Sequence, residues 1–347
     1  MASAARPRVG DLGEWGLIRL IRKTFAPAGR DVLVPIGDDA AWLETAKRVL
    51  LTKDLLVEGQ DFPPGLHPPR LLGRKSLNVN LSDIAAMGGR PRHALLGLGL
   101  PAEAPIAWVR AFLAGFKEAA AEAEVDLAGG DLSKAPLVVI SVTVMGEADA
   151  VITRGGAKPG DIVCVSGTLG DAAAGLRLLL EGGRAKKGQG RGRLLKRFLD
   201  PEPRLALGRE LARRKLASAM IDVSDGLSVD LGHLCEESGT GAVIELARLP
   251  VSRELRRAFP NPWPLALHGG EDFELLFTVP PAKLDAVLRL GKRFPVTPIG
   301  IMARGHDILA VDPDSRCHPL RAQGFEHFRP AYGAPHRGAR AAGRRRR

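Results

Sequence analysis

Residues 219–233 read AMIDVSDGLSVDLGH. Ala219 to Val223 is a short apolar run that predicts a strand, whereas Leu227 to Glu237 repeats its apolar residues at helical spacing and predicts a helix. Ser224, Asp225 and Gly226 supply the small and polar residues of a tight turn between them. A strand that passes through a turn into a helix is the unit of α/β architecture. The alternation continues on both sides, with strands at 161–166, 242–245 and 275–278 and helices at 171–181, 203–215 and 282–290. In the N-terminal half, helices are predicted at 12–25, from Pro68 and Pro69 to Met87, and at 107–123. Gly88 and Gly89 close the second of these. Strand-like runs lie at 32–36, 49–52 and 137–145, and 93–100 is another apolar run. The order is α/β without reading as a parallel doubly wound sheet.

The stretch 151–160, VITRGGAKPG, interrupts this pattern with glycine, proline and basic residues, and a length of 347 residues suits two domains. The expected division is an N-terminal domain over 1–149, a C-terminal α/β domain over 150–330 and a disordered arginine-rich tail over 331–347. Apolar residues make up 45% of the chain and charged residues 26%, a globular composition. The longest strongly apolar run, Leu137 to Gly146, is far short of the roughly 18 to 20 residues a membrane helix needs. No secretory signal is evident, and Cys164, Cys235 and Cys317 form no CxxC pair, so a cytoplasmic location is expected. The net charge of +11 is concentrated in two places. Eight basic residues against one acid lie between Arg177 and Arg197, and six arginines with no acid lie beyond Ala331. The rest is near neutral, so a basic loop and tail explain the charge more simply than a specific nucleic-acid surface.

GxxxxGK[ST], a GxGxxG after a strand, HExxH and GxSxG are all absent. Apolar segments instead end repeatedly in aspartate: Gly37-Asp38-Asp39, Thr52-Lys53-Asp54, Leu81-Ser82-Asp83, Gly129-Gly130-Asp131 and Asp222-Val223-Ser224-Asp225. One such aspartate is ordinarily a turn or cap. Five at the ends of core elements gather anions where they are costly unless cations meet them. Hard carboxylate oxygens without cysteine or histidine partners suit Mg²⁺ better than zinc.

The ordered blocks GDDAA (37–41), TKDLLVEG (52–59), NVNLSDIAAMGG (78–89), GGD (129–131), TRGGAKPGD (153–161), GTLGDAAAGL (167–176), IDVSDGLSVDLGH (221–233), GGEDFELLF (269–277) and GFEHF (324–328) together resemble the thiamine-monophosphate kinase family. The resemblance implies the two-lobed fold of aminoimidazole ribonucleotide synthetase, with the N-terminal lobe forming a barrel with its twin in a homodimer. It implies ATP as co-substrate, thiamine monophosphate as acceptor and Mg²⁺ as cofactor. Carried over by position, Asp39, Thr52, Asp54, Asp83, Asp222 and Asp225 would hold magnesium. Asp131, Arg154 and Ser224 would meet ATP or its metals, and Glu271 and Phe325 would face the thiamine phosphate beside Asp61. Asp54, Asp131, Arg154 and Asp225 would then be the catalytic set.

Such a reaction needs no general base, because a phosphate monoester is largely dianionic near pH 7. The obstacle is charge: two unit charges 4 Å apart repel by about 4 kcal/mol at an effective dielectric of 20. Cations on aspartates, together with Arg154, would offset that field, and the start of the helix after Gly226 would offer free amides to a phosphate. Lys53 and Asp61 depart from the family pattern, which has threonine and histidine there. Lys53 is expected beside the metals, and Asp61 in the path of an anionic substrate. The alternatives are a relative acting on another acceptor, a basic RNA-binding protein, or a pseudoenzyme that binds ATP without transfer.

Overall fold

The computed structural model describes residues 20–21, 23–25, 32–34, 42–43, 48–181 and 191–324. The expectations for Asp39, Phe325, the tail and the basic stretch 182–190 lie outside these residues. Strands β1 (Val32–Val34) and β2 (Trp42–Leu43) form a small antiparallel pair.

Strands β3 (Arg48–Val57), β4 (Arg90–Leu100), β5 (Asp126–Lys134) and β6 (Val139–Ala148) form a four-stranded sheet in the order β3-β6-β4-β5, parallel only between β4 and β5. Helices α1 (Pro69–Ala86) and α2 (Ile106–Ala123) cover one face. The pleat alternates sides. Leu50 and Leu56 point into the core under the helices, whereas Val49, Leu51 and Leu55 are exposed. The two helices cross closely because Gly73 and Gly115 lie at the contact. A Cβ on Gly115 would stand 1.7 Å from the carbonyl oxygen of Arg70.

The second lobe comprises β7 (Ile162–Ser166), α3 (Asp171–Leu180), α4 (Arg191–Leu199), α5 (Leu205–Arg213), β8 (Ala219–Asp222), α6 (Leu227–Ser238), β9 (Gly241–Glu245), α7 (Arg253–Ala258), α8 (Trp263–His268), β10 (Leu275–Val279), α9 (Leu284–Leu290), β11 (Val296–Ala303), β12 (Ile308–Val311) and β13 (Cys317–Pro319). Its seven strands lie in the order β13-β12-β9-β11-β7-β10-β8, parallel only between β9 and β12. The architecture is therefore mixed α/β in two lobes. β8 closes the sheet edge beside α1, and Gly208 of α5 lets that helix approach the backbone of Ala85 in α1. Helix α1 is buried between the two lobes, and its polar residues Lys75, Asn78, Asn80 and Ser82 are buried with it.

Two expectations are corrected. Residues 191–199 are a helix, not part of a basic loop: Leu194, Phe198 and Leu199 are buried along one stripe and outweigh the interleaved arginines. Gly129-Gly130-Asp131 lies within β5 rather than at the end of a strand. All three cysteines are free, with Cys164 and Cys235 buried. No helix among the described residues is long and apolar enough to cross a membrane.

Candidate active site

The acids meet where β3, α1 and β8 converge. Alternation along β3 turns Thr52 and Asp54 toward α1. The Thr52 hydroxyl donates to Asp83 Oδ2, and the Asp54 amide donates to Asn80 Oδ1 at 3.1 Å. One residue before Asp83, the Ser82 hydroxyl donates to Asp222 Oδ2 at 2.6 Å across the lobe boundary. A single stretch of α1 thus ties the end of β8 to the middle of β3.

The charges of this cluster are coupled. Burial pushes the Asp54 carboxyl up to about 7, aided by the charges of Asp83 and Asp61 and opposed weakly by Lys53. Burial, then the charge of Asp83, pushes Asp222 up to about 7, while Ser82 and Arg154 pull it down. Asp83 is also raised by burial, against the Thr52 hydrogen bond and Arg154. Asp230 is raised to about 8 by burial and by Asp222 and Asp225. Carboxylates that raise one another in a buried site gain from a cation. Among the described residues, no three histidine, cysteine, aspartate or glutamate side chains already form a cage for one metal ion. The donor set of carboxylates with the hydroxyls of Thr52 and Ser82 is all hard oxygen, which fits Mg²⁺.

The remaining expected residues separate into groups. Arg154 is exposed, and its charge reaches both Asp83 and Asp222. Asp225 is half-buried and acts on Asp230. The carbonyl of half-buried Ser224 accepts from the Glu271 amide at 2.7 Å, which brings the loop 269–274 against the turn after β8. Asp61 acts on Asp54 and also accepts from the Val57 amide at 2.8 Å, so it shapes the turn after β3. Asp131 is exposed on β5 opposite Gly97, and none of the charges acting on Asp54, Asp83 or Asp222 comes from it.

Two chemical expectations fail. Lys53 does not lie among the acids: its ammonium donates to Ser141 at 2.6 Å from the other side of the sheet, because neighbours on a strand face opposite ways. The amides of Asp225 and Gly226, in the turn before α6, are not free for a phosphate, since they donate to the Asp230 carboxylate at 3.2 and 3.0 Å. Sequence reasoning overlooked Asn80, Ser82 and Asp230, although each lies inside a quoted block. Their signal was the density of polar residues on segments that otherwise pattern as core.

Glu274 anchors the loop from beneath. It accepts from Ser166 at 2.5 Å, from Arg197 at 2.7 Å and from Arg204 at 2.7 and 2.6 Å. Burial alone would raise its carboxyl, but Arg204 and Arg197 pull it below the usual range. Asp272 accepts from the Gly170 and Ala172 amides at 2.5 and 3.2 Å. Glu271 and Phe273 both adopt positive φ, 67° and 49°, which such residues avoid unless their surroundings impose it.

Two lobes with a shared acidic junction define an AIR synthase related protein: residues 37–148 match the N-terminal domain of that family and residues 158–312 its C-terminal domain. Within that class the chain belongs to the thiamine-monophosphate kinase family. It is 37% identical to the Aquifex aeolicus enzyme across 92% of this chain and all of that one. It is 38% identical to the Escherichia coli K12 enzyme across 91% of this chain and 98% of that one. The crystal structure of thiamine-monophosphate kinase from Stenotrophomonas maltophilia K279a superposes with a TM-score of 0.77 at 39% identity, covering 85% of this chain and 95% of that one. AaThiL complexed with AMPPCP and TMP superposes with a TM-score of 0.74 at 37% identity, covering 94% of this chain and all of that one.

Proposed function

We propose that this chain transfers the γ-phosphate of ATP to thiamine monophosphate, giving thiamine diphosphate and ADP. The observation that carries the reading is the meeting of Asp54, Asp83 and Asp222 from both lobes, with the charge of Arg154 reaching two of them. The family supports it: one related structure is complexed with AMPPCP and TMP. A phosphate oxygen of the acceptor attacks the γ-phosphorus. The bond from that phosphorus to the β-phosphate oxygen breaks, and ADP leaves with the electron pair. Asp54, Asp83, Asp222 and Asp225, with Thr52 beside them, would hold Mg²⁺, which supplies charge neutralisation between the two phosphate groups. Arg154 adds positive charge from the solvent side, and Glu271 with Asp61 faces the acceptor. Thr52, Ser82 and Asn80 hold the acids in place, so little reorganisation accompanies transfer.

The protein acts as a homodimer in the cytoplasm on this reading. The first is supported by the apolar face of the four-stranded sheet that turns away from α1 and α2, where Leu51 is 71% exposed among the described residues. The second is supported by three free cysteines.

Incubating the protein with Mg-ATP and thiamine monophosphate should yield thiamine diphosphate and ADP in equal amounts. Asp54→Asn and Asp225→Asn should each fall below about one hundredth of that rate. Unchanged rates in both variants would refute the metal assignment, and absence of thiamine diphosphate from wild type would refute the reaction.

A further inference from the structure

Lys75 has no part in the acid cluster, yet it is a fully buried cation, with 0% of its surface exposed, on the helix that carries Asp83. Its ammonium lies 2.8 Å from Glu271 Oε1 across the lobe boundary and 3.9 Å from the centre of the Phe198 ring. Among the described residues, no well-aligned acceptor receives any of its N–H bonds. A buried ammonium is costly without compensation, and the Glu271 carboxylate and the face of an aromatic ring supply it here. His67 completes the surroundings. Its ring lies 5.8 Å from that of Phe198 and 6.4 Å from that of Phe62, and it is held neutral by burial and by the charge of Lys75.

Glu271 is held unusually on its own side as well. Its backbone is in the left-handed region, and its amide is tied to the Ser224 carbonyl. Its side chain keeps 28% of its surface exposed. A carboxylate has about four lone-pair sites, so the contact at Oε1 leaves acceptor capacity for a ligand.

We propose that Lys75 is the positioning residue for Glu271: its buried ammonium, fixed by α1, sets the rotamer of the Glu271 carboxylate so that its free lone pairs meet a hydrogen-bond donor on the acceptor substrate. The inference rests on the reading of Glu271 as a substrate contact. Lys75 itself touches no substrate. It also ties the 269–274 loop to α1 across the lobe boundary.

The test compares steady-state kinetics and melting temperature for K75M, K75R, E271Q and K75M/E271Q, with thiamine monophosphate and Mg-ATP as substrates. The expected result for K75M is a KM for thiamine monophosphate raised about tenfold or more, with the KM for ATP within about twofold of wild type. K75R should recover part of that loss. K75M/E271Q should match E271Q, because the two residues act as one unit. That comparison also decides the matter if K75M alone folds poorly, since the double variant leaves no unpaired charge. A raised KM in E271Q with a normal one in K75M, or a double variant markedly worse than E271Q, would overturn the role of Lys75 alone. A normal KM in E271Q would overturn the reading of Glu271 itself and the inference with it.

Discussion

Glu274 shows what one buried carboxylate does when two guanidinium groups and a hydroxyl converge on it. Removing the charge leaves Arg197 and Arg204 facing a neutral group in a site where Glu274 is 0% exposed. E274Q should therefore destabilise the fold by about 3–5 kcal/mol, read as a lower urea midpoint. Because the folded-state pKa of Glu274 is depressed, its stabilisation is present above the unfolded value and is lost as pH falls through the folded one. The same reasoning distinguishes the active-site acids. Burial and then neighbouring carboxylates push Asp54 and Asp222 up rather than down, and among the described residues no arginine hydrogen-bonds to them. Glu274 is satisfied inside the fold, whereas the acids at the lobe junction are left in need of a cation. Both kinds look alike in the sequence, as an acid beside small and apolar residues.

At the scale of elements, the pleat of β3 decides which of Thr52, Lys53 and Asp54 can share a site. Lys53 faces Ser141 on the opposite side, so K53T should alter the KM for thiamine monophosphate by less than about twofold. A large change would place the lysine in the site after all. The segment leading into α1 carries a separate acid-sensitive group. His67 is buried and bonded to the Leu199 carbonyl at 3.1 Å, and its pKa is pushed down to about 3 by burial and by Lys75. The unfolded chain therefore binds a proton between about 6.5 and 3 that the folded one refuses. Stability should decline as pH falls through that window. H67Q should flatten the decline by up to about 1.4 kcal/mol per pH unit, measured as urea midpoints from pH 6.5 to 4. An unchanged slope would rule the histidine out. Helix α4 is the element that charge counting concealed: Leu194 and Phe198 recur at helical spacing, but the surrounding arginines and glycines read as a loop.

Across the whole molecule, the four-stranded sheet has α1 and α2 on one face, and on the other, among the described residues, Val49, Leu51, Leu55 and Leu95 remain exposed. A second copy of the chain would cover that face. Wild type should sediment as a dimer and L51E as a folded monomer; a wild-type monomer would count against the homodimer. The junction between lobes is held by the Ser82–Asp222, Arg74–Asp200 and Lys75–Glu271 contacts, all from α1. Any movement that separates the lobes would also take apart the acid cluster and release Glu271.

Local order was legible from residues alone. Most strands and helices of both lobes follow from apolar period and from glycine and proline punctuation, which depend only on neighbours in the chain. That aspartates end core segments was also written in the chain, and with it the affinity for a hard cation. Which of those acids meet was settled by tertiary packing, because α1 seats against β3 on one side and β8 on the other, bringing together residues up to about 170 positions apart in sequence. The same packing turned Lys53 away, gave the Asp225 and Gly226 amides to Asp230, left Asp131 apart, and buried Lys75 against Glu271. Contacts of that kind depend on which faces the lobes present to each other, and no local period encodes them.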